Sequence, residues 1–359
     1  MSEKIKVDKS GNSELIKFYR AGNIEKFHES IKSGANINCL NRDGFSLISM
    51  ILINSSKIDN NKKFFDLLMS NDVHLKPLGR ESGVLSLAIR AQKDVYYVKK
   101  ILEKNSNVDH VGVSGHLSEP YGPPIFDAIS KGNCEIIELL LEYNASLDIC
   151  DSYGEPVLNH LFKENLKIAP KILKKMINYG ANPNFKNFNG ENALHYLSRH
   201  GVNKKLFEII CDKITNLDEH DIWGDTPLMS SVISLNISAL KILINKGANL
   251  NSLNGNGHSP LVLSVLYDCK DSFNCLVENK ADFFCVDKNK NNILHHIVMR
   301  QCYKKEYCEQ ILKNNTELLN MKNKEGKTPL DLIKKDNLYD SRMSFFMKII
   351  DNQENSNSL

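Results

Sequence analysis

The side chains best suited to binding a metal or attacking a substrate are nine cysteines and eleven histidines. The densest group is His295-His296, followed by Cys302 and Cys308. Imidazole and thiolate are the donors of a zinc site, but zinc ligands come in short, regular spacings and these do not. Cys269 and Cys275 show no shared helix face either. A cysteine nucleophile needs a base beside it in space, and nothing in the order of residues marks one cysteine as special. Ser114-Gly115-His116 lacks the strand-turn-helix setting of a nucleophile elbow. There is no phosphate-binding P-loop and no dinucleotide fingerprint. The expectation is therefore no enzyme, no cofactor and no metal.

What these residues sit on is a repeat. Asp221 to Asn251 form one complete unit: DIWGDTPLMSSVISLNISALKILINKGANLN. Asp221 to Gly224 predict a tight turn. Thr226-Pro227-Leu228 predict the start of a short helix, with proline where its missing N–H does no harm. Leu240, Leu243 and Ile244 recur at helical spacing and predict a second helix. Lys246-Gly247 ends it, because glycine takes the left-handed conformation without strain. Aligned on Leu228, the equivalent residues are Leu15, Ile48, Leu85, Ile125, Leu158, Leu194, Leu261, Leu294 and Leu330. The intervals along the chain are 33, 37, 40, 33, 36, 34, 33, 33 and 36 residues. The Asp or Asn that opens each turn, at Asp151, Asn187, Asp221, Asn254, Asp287 and Asn323, is expected to accept backbone hydrogen bonds within it.

The unit resembles an ankyrin repeat, whose pattern is D-x-x-G-x-T-P-L-H-x-A, a second helix, then G-A-N/D-φ-N with a period of about 33 residues. Asp221, Gly224, Thr226, Pro227, Leu228, Gly247, Ala248, Asn249 and Asn251 match it, while Met229 and Ser231 replace the family's histidine and alanine. The resemblance implies an all-α solenoid of about ten helix-turn-helix units with short β-hairpin-like fingers. Each unit leans on its neighbours, so a single central core is not required. The array is expected over residues 11–351, with a disordered start at 1–10 and a disordered tail at 352–359. A last helix is expected from Ser341 to Ile350. Residues 111–124, rich in glycine and proline, read as a long loop, and Asn54 to Lys63 as a polar insert between two helices.

Charge and hydropathy narrow the partner. Lys and Arg number 46 and Asp and Glu 43, a net charge of +3. That is too mild for nucleic acid, which needs a clustered basic face. No apolar run is long enough to span a membrane, and the first residues have no secretory apolar core. Cysteines without a close-spaced framework read as reduced thiols in a cytoplasmic protein. Heavy use of Asn, Lys and Ile hints at a parasite, a symbiont, a protist or a large virus.

The family resemblance also implies a site. Ankyrin-type chains hold partner proteins on finger tips and on the ends of the first helices. Carried over residue by residue, those positions give Tyr153, Phe188, Arg199, His200, Ile222, Trp223, Asp225, His258, Tyr267, Met299 and Arg300. Large apolar groups at exposed tips mark an interaction surface, and Trp, Tyr and Arg dominate interface energetics. The expected function is a monomeric scaffold that binds a partner protein across units five to nine. A second reading is a host-directed effector that docks through the array and acts through residues 111–124. By the same resemblance, Asn38 and Asn251 sit where family asparagines can be hydroxylated, but the favoured reading is a hairpin asparagine with a purely structural hydrogen bond.

Leu228 is the residue on which the alignment turns. Leu228→Ala should lower unfolding stability by about 2–5 kcal/mol, the usual cost of a cavity at a packed leucine. Urea unfolding checks this, and an unchanged midpoint would contradict the repeat assignment.

Overall fold

The structure is a computed structural model. It describes residues 13–54, 61–75, 83–92, 94–104, 107–109, 122–164, 169–201, 203–300, 305–313, 315–333, 344 and 348. The expected disordered ends and most of the 111–124 loop lie outside these residues. Of the helix expected at 341–350, only Ser344 and Lys348 are described, and both are helical. The chain divides into two compact units, Met1–Asn182 and Pro183–Leu359.

Each unit is a stack of antiparallel helix pairs. The first holds α1 Glu14–Arg20 with α2 Ile24–Lys32, α3 Leu47–Ile53 with α4 Asn61–Met69, and α5 Val84–Arg90 with α6 Val95–Glu103. It continues with α7 Pro124–Ser130 and α8 Cys134–Glu142, then α9 Val157–Lys163 and α10 Ala169–Asn178. The second unit holds α11 Ala193–His200 with α12 Lys204–Cys211 and α13 Pro227–Ile233 with α14 Ile237–Asn245. Its later pairs are α15 Pro260–Leu266 with α16 Lys270–Glu278, and α17 Ile293–Met299 with α18 Lys305–Leu312. First helices pack on first helices and second on second, as α13 does on α11 and α15, and α14 on α12 and α16. There is no β-strand among the described residues. The finger bases at Leu40/Ser46 and Cys150/Pro156 make single antiparallel bridges, less than the hairpins expected.

Helices of seven residues do not stand alone in water. Burial holds them. Nine of the ten alignment leucines and isoleucines are at most 4% exposed, Ile125, Leu194, Leu228 and Leu294 being fully enclosed. Leu330 departs from this: it opens a short 3-10 turn, Leu330–Leu332, and is only half-buried. Among the described residues no further helical pair covers its outer side. Caps fix the starts: Ser13, Ser46, Thr226 and Ser259 each accept the N–H three residues on. Asn61 shows why the polar insert ends earlier than expected. Its buried amide donates to the Ile51 and Asn54 carbonyls, closing the end of α3, and α4 begins on it.

Each finger hangs on one residue. The side-chain oxygen of Asp221 accepts the N–H of Trp223 at 2.8 Å and of Asp225 at 2.9 Å. Asn41, Asp151, Asn187, Asn254, Asp287 and Asn323 do the same two and four residues on. Six of these seven were expected from sequence; Asn41 was not. The inter-helix corner is left-handed in the six pairs whose corner is described: Gly22, Gln92, Gly132, Gly201, Leu235 and Asp268 all have φ between 53° and 66°. Where glycine is missing, the stack forces an ordinary residue into that conformation.

Asp221→Ala should therefore destabilise the second unit by about 1–3 kcal/mol, by stranding two finger N–H groups. Asp221→Asn should change little, since asparagine heads three sister fingers of that unit. Urea unfolding of the two variants side by side tests the assignment.

Candidate functional site

Fingers and helix ends of the second unit enclose an open groove of about 510 Å³. One wall is finger: Trp223, Asp225, Asn254, Asn256 and His258. The other is helix: Ile233, Leu263, Leu266 and Tyr267, with Arg300 at the edge. Five residues named from sequence thus meet at one place: Trp223, Asp225, His258, Tyr267 and Arg300. Ile233, Asn256 and Leu266, which also occupy the family's concave-face positions, join them. Leu263 and Asn254 do not occupy those positions, Asn254 because it reads as a turn residue.

The backbone under the tryptophan is held from two sides. Its N–H goes to Asp221, and its carbonyl accepts the Gly255 N–H of the next finger at 2.8 Å. Gly255 has to be glycine for that approach, because a Cβ there would stand 2.5 Å from the Trp223 carbonyl oxygen. The indole is nevertheless 51% exposed. A fixed backbone carrying an exposed indole is a preorganised contact, with little backbone entropy left to lose on binding.

The remaining positions fall outside the groove. Phe188 and Ile222 are exposed on their own finger tips, and Met299 on the end of α17. Tyr153, 72% exposed, belongs to the first unit. Arg199 is not a free rim charge: its guanidinium lies 2.6 Å from the buried Glu191 carboxylate. The His200 ring lies against Tyr196, with centroids 4.4 Å apart. Asp225 is partly buried, which pushes its carboxyl up, while the Asn254 amide at 2.8 Å opposes the shift. Burial pushes His258 down.

The chemistry weighed from sequence looks different in three dimensions. His295 has both ring nitrogens engaged, Nδ1 with Asn292 at 2.7 Å and Nε2 with the Lys327 carbonyl at 3.1 Å. It has no lone pair for a metal. Cys308 is fully buried, and Cys302 lies outside the described residues. Burial raises the Cys211 thiol to about 12 and the Cys269 and Cys285 thiols to about 11. Cys39, Cys150 and Cys275 are also raised, by burial first. A thiol held protonated at neutral pH is a poor nucleophile. His296 instead faces His258 and Asp287, a grouping invisible in the sequence. Asn38 and Asn251 each accept an N–H from the next repeat, at His74 (2.7 Å) and Asp282 (2.9 Å), which gives them a structural role. Of the 111–124 segment, on which the effector reading rests, residues 111–121 lie outside the described residues.

Comparison with known proteins agrees with the architecture. A family model described as ankyrin repeats, three copies, matches residues 160–254 and 203–284. An ankyrin repeat protein of Variola virus is 26% identical over 188 residues, 51% of this chain and 33% of that protein. A putative ankyrin repeat protein of Acanthamoeba polyphaga mimivirus is 23% identical over 314 residues, 77% of this chain and 40% of that one. The chain thus spans a third to two fifths of the length of these relatives. Among solved structures, the ankyrin repeat domain of Bcl-3 superposes with a TM-score of 0.54 at 19% identity, covering 62% of this chain and 98% of that one. At that identity the likeness is one of fold.

Proposed function

Since the chain is an array of ankyrin repeats, modules that generally mediate protein–protein interaction, we propose that it is a non-enzymatic scaffold that holds a partner protein in the groove of its second unit. The observation that carries this is Trp223, half exposed on a backbone fixed from both sides, at the mouth of that groove. Tyr267, Ile233 and Leu266 extend the apolar floor, and Asp225, His258 and Arg300 supply a polar rim. That is the anatomy of a protein interface, an apolar anchor ringed by polar groups.

Ile222, Phe188 and Met299 carry the contact onto neighbouring tips in this proposal, and Tyr153 serves as a separate point on the first unit. The chain binds as a monomer, in the cytoplasm. No helix among the described residues is long and apolar enough to cross a membrane. The partner is not nucleic acid, because the net charge of +3 is spread over 359 residues.

The test is affinity capture of partners by the full chain beside Trp223→Ala, read by mass spectrometry, with circular dichroism to confirm that the variant is folded. Loss of an indole anchor should weaken a true partner by about 2 kcal/mol or more, roughly thirty-fold. Equal recovery by a folded Trp223→Ala protein would refute the groove as the docking surface.

A further inference from the structure

On the same wall of the second unit, three donor atoms converge: one each from His258, Asp287 and His296, all within 4.8 Å of one another. The repeat itself brings them together. Asp287 heads the ninth finger, and its Oδ1 accepts the Asn289 and Asn291 N–H groups at 2.7 and 2.8 Å. That leaves Oδ2, which accepts only the Asn291 amide at 2.9 Å. His296 rises beneath it on α17. Its side chain is 6% exposed, and its Nε2 stands 3.4 Å from Oδ2. That nitrogen has no hydrogen-bond partner. His258, just after the glycine of the eighth finger, sets its ring edge-on to His296, centroids 4.9 Å apart at 87°.

A buried polar atom without a partner is costly and calls for an explanation. The fifth repeat supplies a control inside the same chain. There Asp151 and His160 occupy the same two positions, nine residues apart, and Nε2 bonds to Oδ2 at 2.8 Å. The ring edge-on to His160 is Phe126, at 4.8 Å and 81°, which can donate nothing. In that repeat, with an apolar ring from α7 beside it, the Asp–His pair is closed. With His258 as the neighbour, the pair stands open and the three donors face a common point.

We propose that His258, Asp287 and His296 bind a divalent transition-metal ion of borderline softness, Zn²⁺ being the best fit. Two imidazoles and one carboxylate are a known zinc donor set, with contacts of about 2.0–2.2 Å. Donors around such an ion sit about 3.5 Å apart, so the site closes by a modest turn of His258, the least buried of the three. Both imidazoles are available as neutral ligands. Burial is the first cause that pulls both His258 and His296 down. Of the surrounding charges, Asp225 and Arg300 also face His258. The two carboxylates, Asp225 and Asp287, outweigh the one guanidinium. Three protein ligands leave a coordination position to water on the His258 side, where the groove is open. This assignment does not depend on the partner-binding proposal.

The test uses the full chain, stripped with chelator, and ZnCl₂ as the titrant in calorimetry. Wild type should take up one equivalent. His258→Ala and Asp287→Asn should each bind at least about tenfold more weakly, since even residues that only support metal ligands cost 10–100-fold. Asp287→Asn should keep its finger, because Asn187, Asn254 and Asn323 hold theirs, and circular dichroism confirms that both variants fold. Co²⁺ substitution separates this site from adventitious binding at cysteines, which would add a thiolate-to-metal absorption band. Failure of wild type to saturate with Zn²⁺, or equal binding by wild type and His258→Ala, would overturn the assignment.

Discussion

One side-chain oxygen at the head of each finger, accepting the backbone N–H groups two and four residues on, is the interaction on which the exposed surface depends. Among the described residues seven fingers carry it, each from an aspartate or asparagine. The same residue's own N–H returns to the carbonyl four residues on, as Asp221 does to Asp225 at 3.0 Å. A five-residue loop thus becomes a closed ring of hydrogen bonds. Within the second unit, finger is then laced to finger by backbone bonds: Ile222 to Asn189, Gly255 to Trp223 and Lys324 to Asn289. Loops are usually the mobile part of a protein. Here they are a rigid edge, which is what allows large apolar side chains to face water at fixed positions.

The division of labour follows. Groups that could do covalent chemistry are withdrawn into the stack: burial pushes up the thiols of Cys39, Cys211, Cys269 and Cys275, and His195 and His295 are tied into helix caps. Groups that can make contacts are pushed out to the tips. Buried histidines serve two different purposes by small changes in their surroundings. His295 caps its own helix and reaches the next finger, so it is saturated. His296, one residue on, points to the other side of the helix and meets a carboxylate and a second imidazole.

Much of this was legible from spacing. A 33-residue period fixes the phase of every position, so Leu228 could be placed inside and Trp223 outside without coordinates. The finger aspartates and asparagines were legible because their position before a turn glycine has one physical use. What spacing could not give is which side chains meet across repeats. Leu263 joins the groove wall, and Arg199 turns away to Glu191, for reasons of rotamer and neighbour. His258, Asp287 and His296 went unseen for the same reason: each has a repeat position of its own, and Asp287 was already explained as a turn residue. Leu330 was placed by period alone, but burial depends on what stacks outside it.

Amide hydrogen exchange on the full chain tests the central claim most directly. The N–H groups of Trp223, Asp225, Asn256 and His258 sit on surface loops, so an unstructured finger would exchange them at free-peptide rates. If the side-chain oxygens of Asp221 and Asn254 hold the fingers closed, these four amides should exchange slowly and together, with protection comparable to the ends of α13 and α15. Exchange at the free-peptide rate beside protected helices would contradict the account of a rigid, preorganised binding edge.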